Sequence, residues 1–137
     1  LRNIMWDYCG VVKNKELLSI GIKKIKDLKN QLNNLKLSVR ENNFSDLSNA
    51  LDLESSLITA EATIISALER KESRGAHQRS DFPFLDENEN YNLSIKQNKS
   101  NGELKIKKIN SKTLRSDLKK ILKNNLKDEE LENKLLE

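Results

Sequence analysis

The stretch RKESRGAHQRSDFP, Arg70 to Pro83, holds the single His and the single Pro of the chain, with four basic residues besides the His: Arg70, Lys71, Arg74 and Arg79. Several chemistries could use such a set. A Ser–His–carboxylate triad can be drawn through Ser73, His77 and Asp81, but this spacing after a helix end supplies neither a strained elbow nor an oxyanion loop. A zinc site needs three or four Cys, His or carboxylate ligands, and Cys9 and His77 are one of each, far apart in sequence. Arginine suits bidentate pairing with a carboxylate and the holding of carbonyls, which lysine does less well. The stretch therefore reads as a solvated helix end, as a polar joint that docks on another domain or chain, or as a site of direct catalysis, and the joint is favoured. On the local reading, Gly75 takes the positive φ that ends a helix, and Arg70, Lys71 and Arg74 sit in its last turn, where the helix dipole favours cations.

No other motif competes. Binding a nucleotide pyrophosphate requires closely spaced glycines at a helix start, whereas Gly10, Gly21, Gly75 and Gly102 are scattered, with no G-x-G-x-x-G and no P-loop. The net charge of +4, from 25 basic and 21 acidic residues, is a mixed surface. It becomes lopsided between Lys96 and Lys127, where eleven Lys and Arg face Glu103 and Asp117. A solvated face explains such a run, and nucleic acid is not expected as a partner. Cys9 is the only cysteine, so no internal disulfide forms. No apolar run approaches the roughly 20 residues of a membrane span, and the default expectation is a soluble protein on the cytoplasmic side.

The stretch must be positioned by helices. Leu1, Ile4, Met5 and Tyr8 follow helical spacing, and Gly10 stands where that helix stops. Asn14 is placed to cap a long second helix, whose stripe runs Leu18, Gly21, Ile25, Leu28, Leu32, Leu35 and Val39. ENNFSD, Glu41 to Asp46, breaks the pattern and offers Ser45 or Asp46 as cap of a third helix. That helix carries Leu47, Ala50, Leu51, Leu57, Ile58, Ile64, Ile65 and Leu68. From Ala60 to Leu68, with Ala62 and Ala67, it is apolar on more than one face, which places it at the bundle centre.

Beyond Pro83, YNLSIKQ and ELKIKKI alternate apolar with polar residues around an Asn101–Gly102 pair, the pattern of a β-hairpin. Ser111 then caps a short amphipathic helix through Leu114, Leu118, Ile121 and Leu122, followed by a fraying tail. The expected fold is mainly α, a three-helix bundle with a small β-hairpin and a C-terminal amphipathic helix. Its expected divisions are residues 1–83 for the bundle, 84–110 for the loop and hairpin, and 111–137 for the last helix and tail. Because the chain opens on Leu1, inside an apolar-rich pattern, it is expected to be a piece of a longer polypeptide.

ALERKESRGAHQRSDFP closely resembles a sequence near the C-terminus of the succinate dehydrogenase and fumarate reductase flavoprotein family, which includes L-aspartate oxidase. The opening LRNIMWDYCGVVKNKELL resembles the start of the C-terminal helical domain in the same family. The resemblance is good from Leu1 to Pro83 and looser over the hairpin. MWDYCGVV is closer to the aspartate oxidases, and SRGAHQR is closer to succinate dehydrogenase and fumarate reductase. Lys13 stands where the family usually has Arg, and the family's HT pair is absent from ENYNLSI.

The resemblance implies a spectrin-repeat-like bundle that follows a flavin-binding domain, which would hold FAD and the catalytic residues. No cofactor, metal or catalytic residue is implied in this chain. Glu72, Ser73, Arg74, Gly75, Ala76, His77, Arg79 and Asp81 match the later motif, and Met5, Trp6 and Gly10 the opening one. Of these, Ser73, Arg74, His77, Arg79 and Asp81 are the expected interdomain contacts, with the partner of Arg79 outside this chain. The implied partners are the preceding FAD-binding domain and an iron–sulfur subunit, with a membrane reached only through other subunits. The standing alternatives are the same domain of L-aspartate oxidase and a free-standing helical interaction module with a basic tail.

Overall fold

The structure, a computed structural model, describes residues 1–37, 44–111, 115–122 and 124. Three helices build the body: α1 (Arg2–Cys9), α2 (Lys15–Gln31) and α3 (Ser45–Glu69). Two-residue strands β1 (Val12–Lys13) and β2 (Gln78–Arg79) pair in parallel, and β3 (Tyr91–Gln97) pairs with β4 (Leu104–Asn110) as an antiparallel hairpin. Residues 116–122 form a further helix, α4. The molecule is thus mainly α-helical, with one small antiparallel hairpin.

Alternation of apolar residues at helical spacing puts Leu18 and Ile25 of α2 against Leu57, Ala60, Ile64 and Ala67 of α3, and these form the buried core. Each fully buried Leu or Ile contributes about 1.5 to 3 kcal/mol relative to exposure. Leu1, Ile4, Met5 and Cys9 close over the core from α1 without being fully buried. At Gly21 the helices approach closely: a Cβ there would lie 2.8 Å from Cβ of Tyr8 and 3.2 Å from Cδ1 of Ile64. A glycine thus lets both neighbouring helices press on α2 at one level.

The packing corrects several expectations. α2, rather than α3, packs extensively on both other helices, whereas α1 and α3 touch each other sparsely. The apolar residues of α3 serve chiefly α2, and its end meets β4 through the Glu69–Lys108 ion pair at 3.3 Å. Asn14 caps α2 as expected, its Oδ1 accepting from the Leu17 amide at 2.8 Å. That helix ends at Gln31 and passes through one 3₁₀ turn, Leu32–Asn34, so Leu35 is extended and 46% exposed instead of continuing the stripe. Val39 and Glu41–Asn43 lie outside the described residues. α3 has Phe44 at its cap position with no side-chain cap, and Ser45 and Asp46 are already helical.

The hairpin strands fall where the alternation put them, but the turn is longer than a two-residue loop. Asn98 to Glu103 close it, with the Asn98 amide bonded to the Glu103 carbonyl at 2.8 Å and Gly102 at φ +69°. In α4, Leu118, Ile121 and Leu122 are exposed; Leu114 and the tail from 125 onward lie outside the described residues. No helix among the described residues is long and apolar enough to cross a membrane.

Candidate functional site

The turn that follows α3 is built on carboxylates. α3 stops at Glu69, one residue before the basic cluster begins, and Arg70 is already extended. The cations of the motif therefore do not sit in the helix's last turn. Glu72 draws them instead: its side chain is fully buried and accepts from Arg70 Nη1 at 2.5 Å, Arg74 Nε at 2.9 Å, Arg74 Nη2 at 3.1 Å and the Asp86 amide at 3.1 Å. The bonds from Arg74 hold this carboxyl down to about 2 from its ordinary 4.5, outweighing the burial that would raise it. Arg70 extends the network by donating to the carbonyls of Glu89 (3.1 Å) and Tyr91 (2.6 Å) and by lying over the Tyr91 ring. One arginine thereby ties the end of α3 to the start of the hairpin.

A second ion pair lies beside it. Arg79 is only 2% exposed, and its Nε and Nη2 each meet an Asp81 carboxylate oxygen at 2.7 Å. Its Nη1 donates to the carbonyls of Ala67 (2.5 Å) and Arg70 (3.1 Å), which the end of α3 leaves without helical partners. The expectation that Arg79 finds its partner outside the chain is thus corrected, because its guanidinium is fully occupied within the chain. Asp81 in turn accepts from the Lys15 amide at 2.9 Å, at the N-terminus of α2. Its carboxyl is held near 2 from 3.8, chiefly by Arg79.

The other motif residues are structural in the same sense. Ser73 Oγ donates to the Phe82 carbonyl at 2.9 Å and accepts from the Arg79 amide at 2.8 Å. Arg74 and His77 exchange backbone hydrogen bonds of 2.9 and 3.0 Å around a tight turn, and the positive φ of Gly75, +56°, belongs to that turn rather than to a helix end. The His77 ring lies 3.3 Å from the Arg70 carbonyl through Nε2, and burial pushes its imidazole below the usual range. Ser73, His77 and Asp81 each bond elsewhere, so no triad is assembled. Among the described residues, no group of three or more His, Cys, Asp or Glu could hold a metal ion.

The two motif regions, far apart in sequence, are brought together by β1 and β2. Val12 pairs with Gln78 and Lys13 with Arg79, and the Ser80 amide bonds the Lys13 carbonyl at 2.8 Å. Strands of two residues give no alternation to read, and this pairing was not visible in the sequence. Glu72, the hub of the network, was matched to the motif but not among the expected contacts; an acid flanked by Arg70 and Arg74 was the available signal.

Comparison with known proteins places these features. Residues 1–126 match the family model described as fumarate reductase flavoprotein C-terminus. An uncharacterised FAD-dependent oxidoreductase of Methanocaldococcus jannaschii is 38% identical over 96 residues, 70% of this chain and 17% of that protein. L-aspartate oxidase of Yersinia pestis is 36% identical over 88 residues, 64% of this chain and 16% of that protein. Among solved structures, a mutant quinol fumarate reductase of E. coli superposes with a TM-score of 0.72 at 27% identity, over 82% of this chain and 20% of its own. The chain spans about a sixth of the length of these curated relatives.

Proposed function

The chain belongs to the fumarate reductase flavoprotein C-terminal family, and on that premise we propose that it is the structural C-terminal domain of an FAD-dependent enzyme interconverting succinate and fumarate. The observation that carries the reading is the internal closure of the motif. Arg70, Glu72, Arg74, Arg79 and Asp81 satisfy one another and the carbonyls at the end of α3, so these groups serve architecture and leave the redox chemistry to another part of the polypeptide. The scattered glycines do not fit a flavin pyrophosphate, and on this reading FAD is held by a preceding domain.

On this reading the three helices are a spectrin-repeat-like bundle, residues 1–83, followed by the hairpin unit 84–110 and a last division, 111–137, that contains α4. Ser73, Arg74, His77, Arg79 and Asp81 shape the face turned toward the preceding FAD-binding domain. Arg74, Gly75, Ala76 and Asp81 are the exposed part of that face, and Ser73 and Arg79 support it from beneath. An iron–sulfur subunit is the further partner, and any membrane association runs through other subunits on the cytoplasmic side.

The likeness to L-aspartate oxidase supports a second reading with aspartate as the substrate. Assaying the full-length protein separates the two. Faster turnover of succinate or fumarate than of L-aspartate supports the first, and the opposite ranking replaces it with the second.

A further inference from the structure

The outer face of the hairpin is a lysine surface. Alternation along the strands turns Leu93, Ile95, Leu104 and Ile106, all half-buried, to one side and Ser94, Lys96, Lys105 and Lys107, all exposed, to the other. Lys96 stands directly opposite Lys105, a like-charge pair that weakens an antiparallel ladder unless something neutralises it. Lys99 joins them in lining one hollow at the turn end of the hairpin, together with Gln97 and Asn98. Among the described residues, no carboxylate lies within ion-pairing distance of Lys96, Lys99, Lys105 or Lys107.

The nearby acids are engaged elsewhere. Glu103 accepts from Asn101 Nδ2 at 3.2 Å, and Asp117 of α4 is held by the Arg115 fork at 2.5 and 3.1 Å. Glu69 and Glu89 face Lys108, on the other side of β4 from Lys107.

We propose that the acidic run 128–132 of the same chain docks on this face, its carboxylates paired with Lys96, Lys105 and Lys107. The run holds Asp128, Glu129, Glu130 and Glu132 with no Lys or Arg among them, and so complements the lysines in sign and number. Length permits the contact: β4 is about 20 Å long, and the residues between Asn110 and Asp128 that lie outside α4 reach about 30 Å when extended. Exposed ion pairs are individually weak and are screened beyond about 8 Å in physiological salt. Tethering compensates, because a segment of the same chain is present at an effective concentration on the order of millimolar, an advantage that a second copy or a free acidic peptide lacks. Docked, the run neutralises the hairpin face; undocked, it leaves that face open to other anions.

The test is zero-length carbodiimide coupling of the full-length protein at low salt, with the amide-linked peptides identified by mass spectrometry. The expected products have single-chain mass and join Lys96, Lys105 or Lys107 to an acid of 128–132, and high salt removes them. A second measurement follows acetylation of individual lysines in a variant carrying Asp128→Asn, Glu129→Gln, Glu130→Gln and Glu132→Gln. Losing the carboxylates frees the amines, so labelling of Lys96, Lys105 and Lys107 should rise relative to the exposed Lys23 of α2. The proposal is overturned by products of twice the single-chain mass, by links from these lysines only to another chain or to other acids, or by no link at all. It is equally overturned by links from 128–132 spread evenly over Lys23 and the hairpin lysines, by links that survive high salt, or by unchanged labelling in the variant.

Discussion

Arg79 grips Asp81, two residues further on, through two parallel bonds of 2.7 Å, while its third nitrogen holds the carbonyls of Ala67 and Arg70 at the end of α3. Both the acid and the helix end depend on one buried guanidinium. Arg79→Ala takes the fork from Asp81 and leaves the Ala67 carbonyl without its partner, and the expected loss is about 1 to 3 kcal/mol. Because the partners are internal, urea denaturation should show a similar loss in residues 1–137 and in the full-length protein. A loss confined to the full-length protein would mean that the decisive contact is with another domain. Arg79→Lys should recover less than half, since an ammonium cannot reproduce the fork.

The acid side of the stability profile follows from Glu72 and Asp81. Both carboxyls are held at about 2 in the folded protein, below their ordinary values of 4.5 and 3.8. A group with a depressed folded pKa contributes stability above its unfolded pKa and loses it as pH falls through the folded one. Stability should therefore decline between about pH 5 and pH 2 and flatten below. Thermal melts of Glu72→Gln should start less stable at pH 7 and show a shallower decline over that window.

At Gly75 the cost of a side chain is purely conformational, because φ is +56° and nothing lies within 4 Å of an added Cβ. Gly75→Ala should lose about 1 to 2 kcal/mol, and Gly75→Asn less, since Asn tolerates the left-handed region. Equal losses for Ala and Asn would mean that the turn is not what the position demands.

Gly21 carries the opposite kind of cost. Its φ is unexceptional, but an added methyl meets Tyr8 and Ile64. Overpacking costs about 1 to 3 kcal/mol, against a helix-propensity gain of about 1 kcal/mol. Gly21→Ala should therefore destabilise modestly, and Ile64→Val in the same molecule should cost less than Ile64→Val alone. Strict additivity in a double-mutant cycle would argue against the contact.

The helices and the hairpin strands were legible because their periods recur over many residues: Leu18, Gly21 and Ile25 on α2, and Leu93 and Ile95 on β3, lie on the faces that their spacing assigned. The end of α3 was not. Arg70, Lys71 and Arg74 fit a charged last turn, yet a glutamate between them provides a buried anion that competes for the same cations, and sequence spacing does not rank the two. The match of Ser73, Arg74, His77, Arg79 and Asp81 to a family motif was equally legible. That Arg79 and Asp81 would pair with each other was not, because nothing in their spacing reveals that the chain turns to face the end of α3. The β1–β2 pairing that joins the two motif regions is long-range and two residues long, which leaves no local pattern to find.

The central claim is that this domain supports flavin chemistry performed elsewhere in the polypeptide. Its most direct test is the visible absorption spectrum and fumarate reduction of the full-length protein, measured beside residues 1–137 alone. The expected result is a flavin spectrum and turnover for the full-length protein, and a colourless, inactive protein for residues 1–137. Flavin bound by residues 1–137, or a full-length protein that carries none, would contradict it.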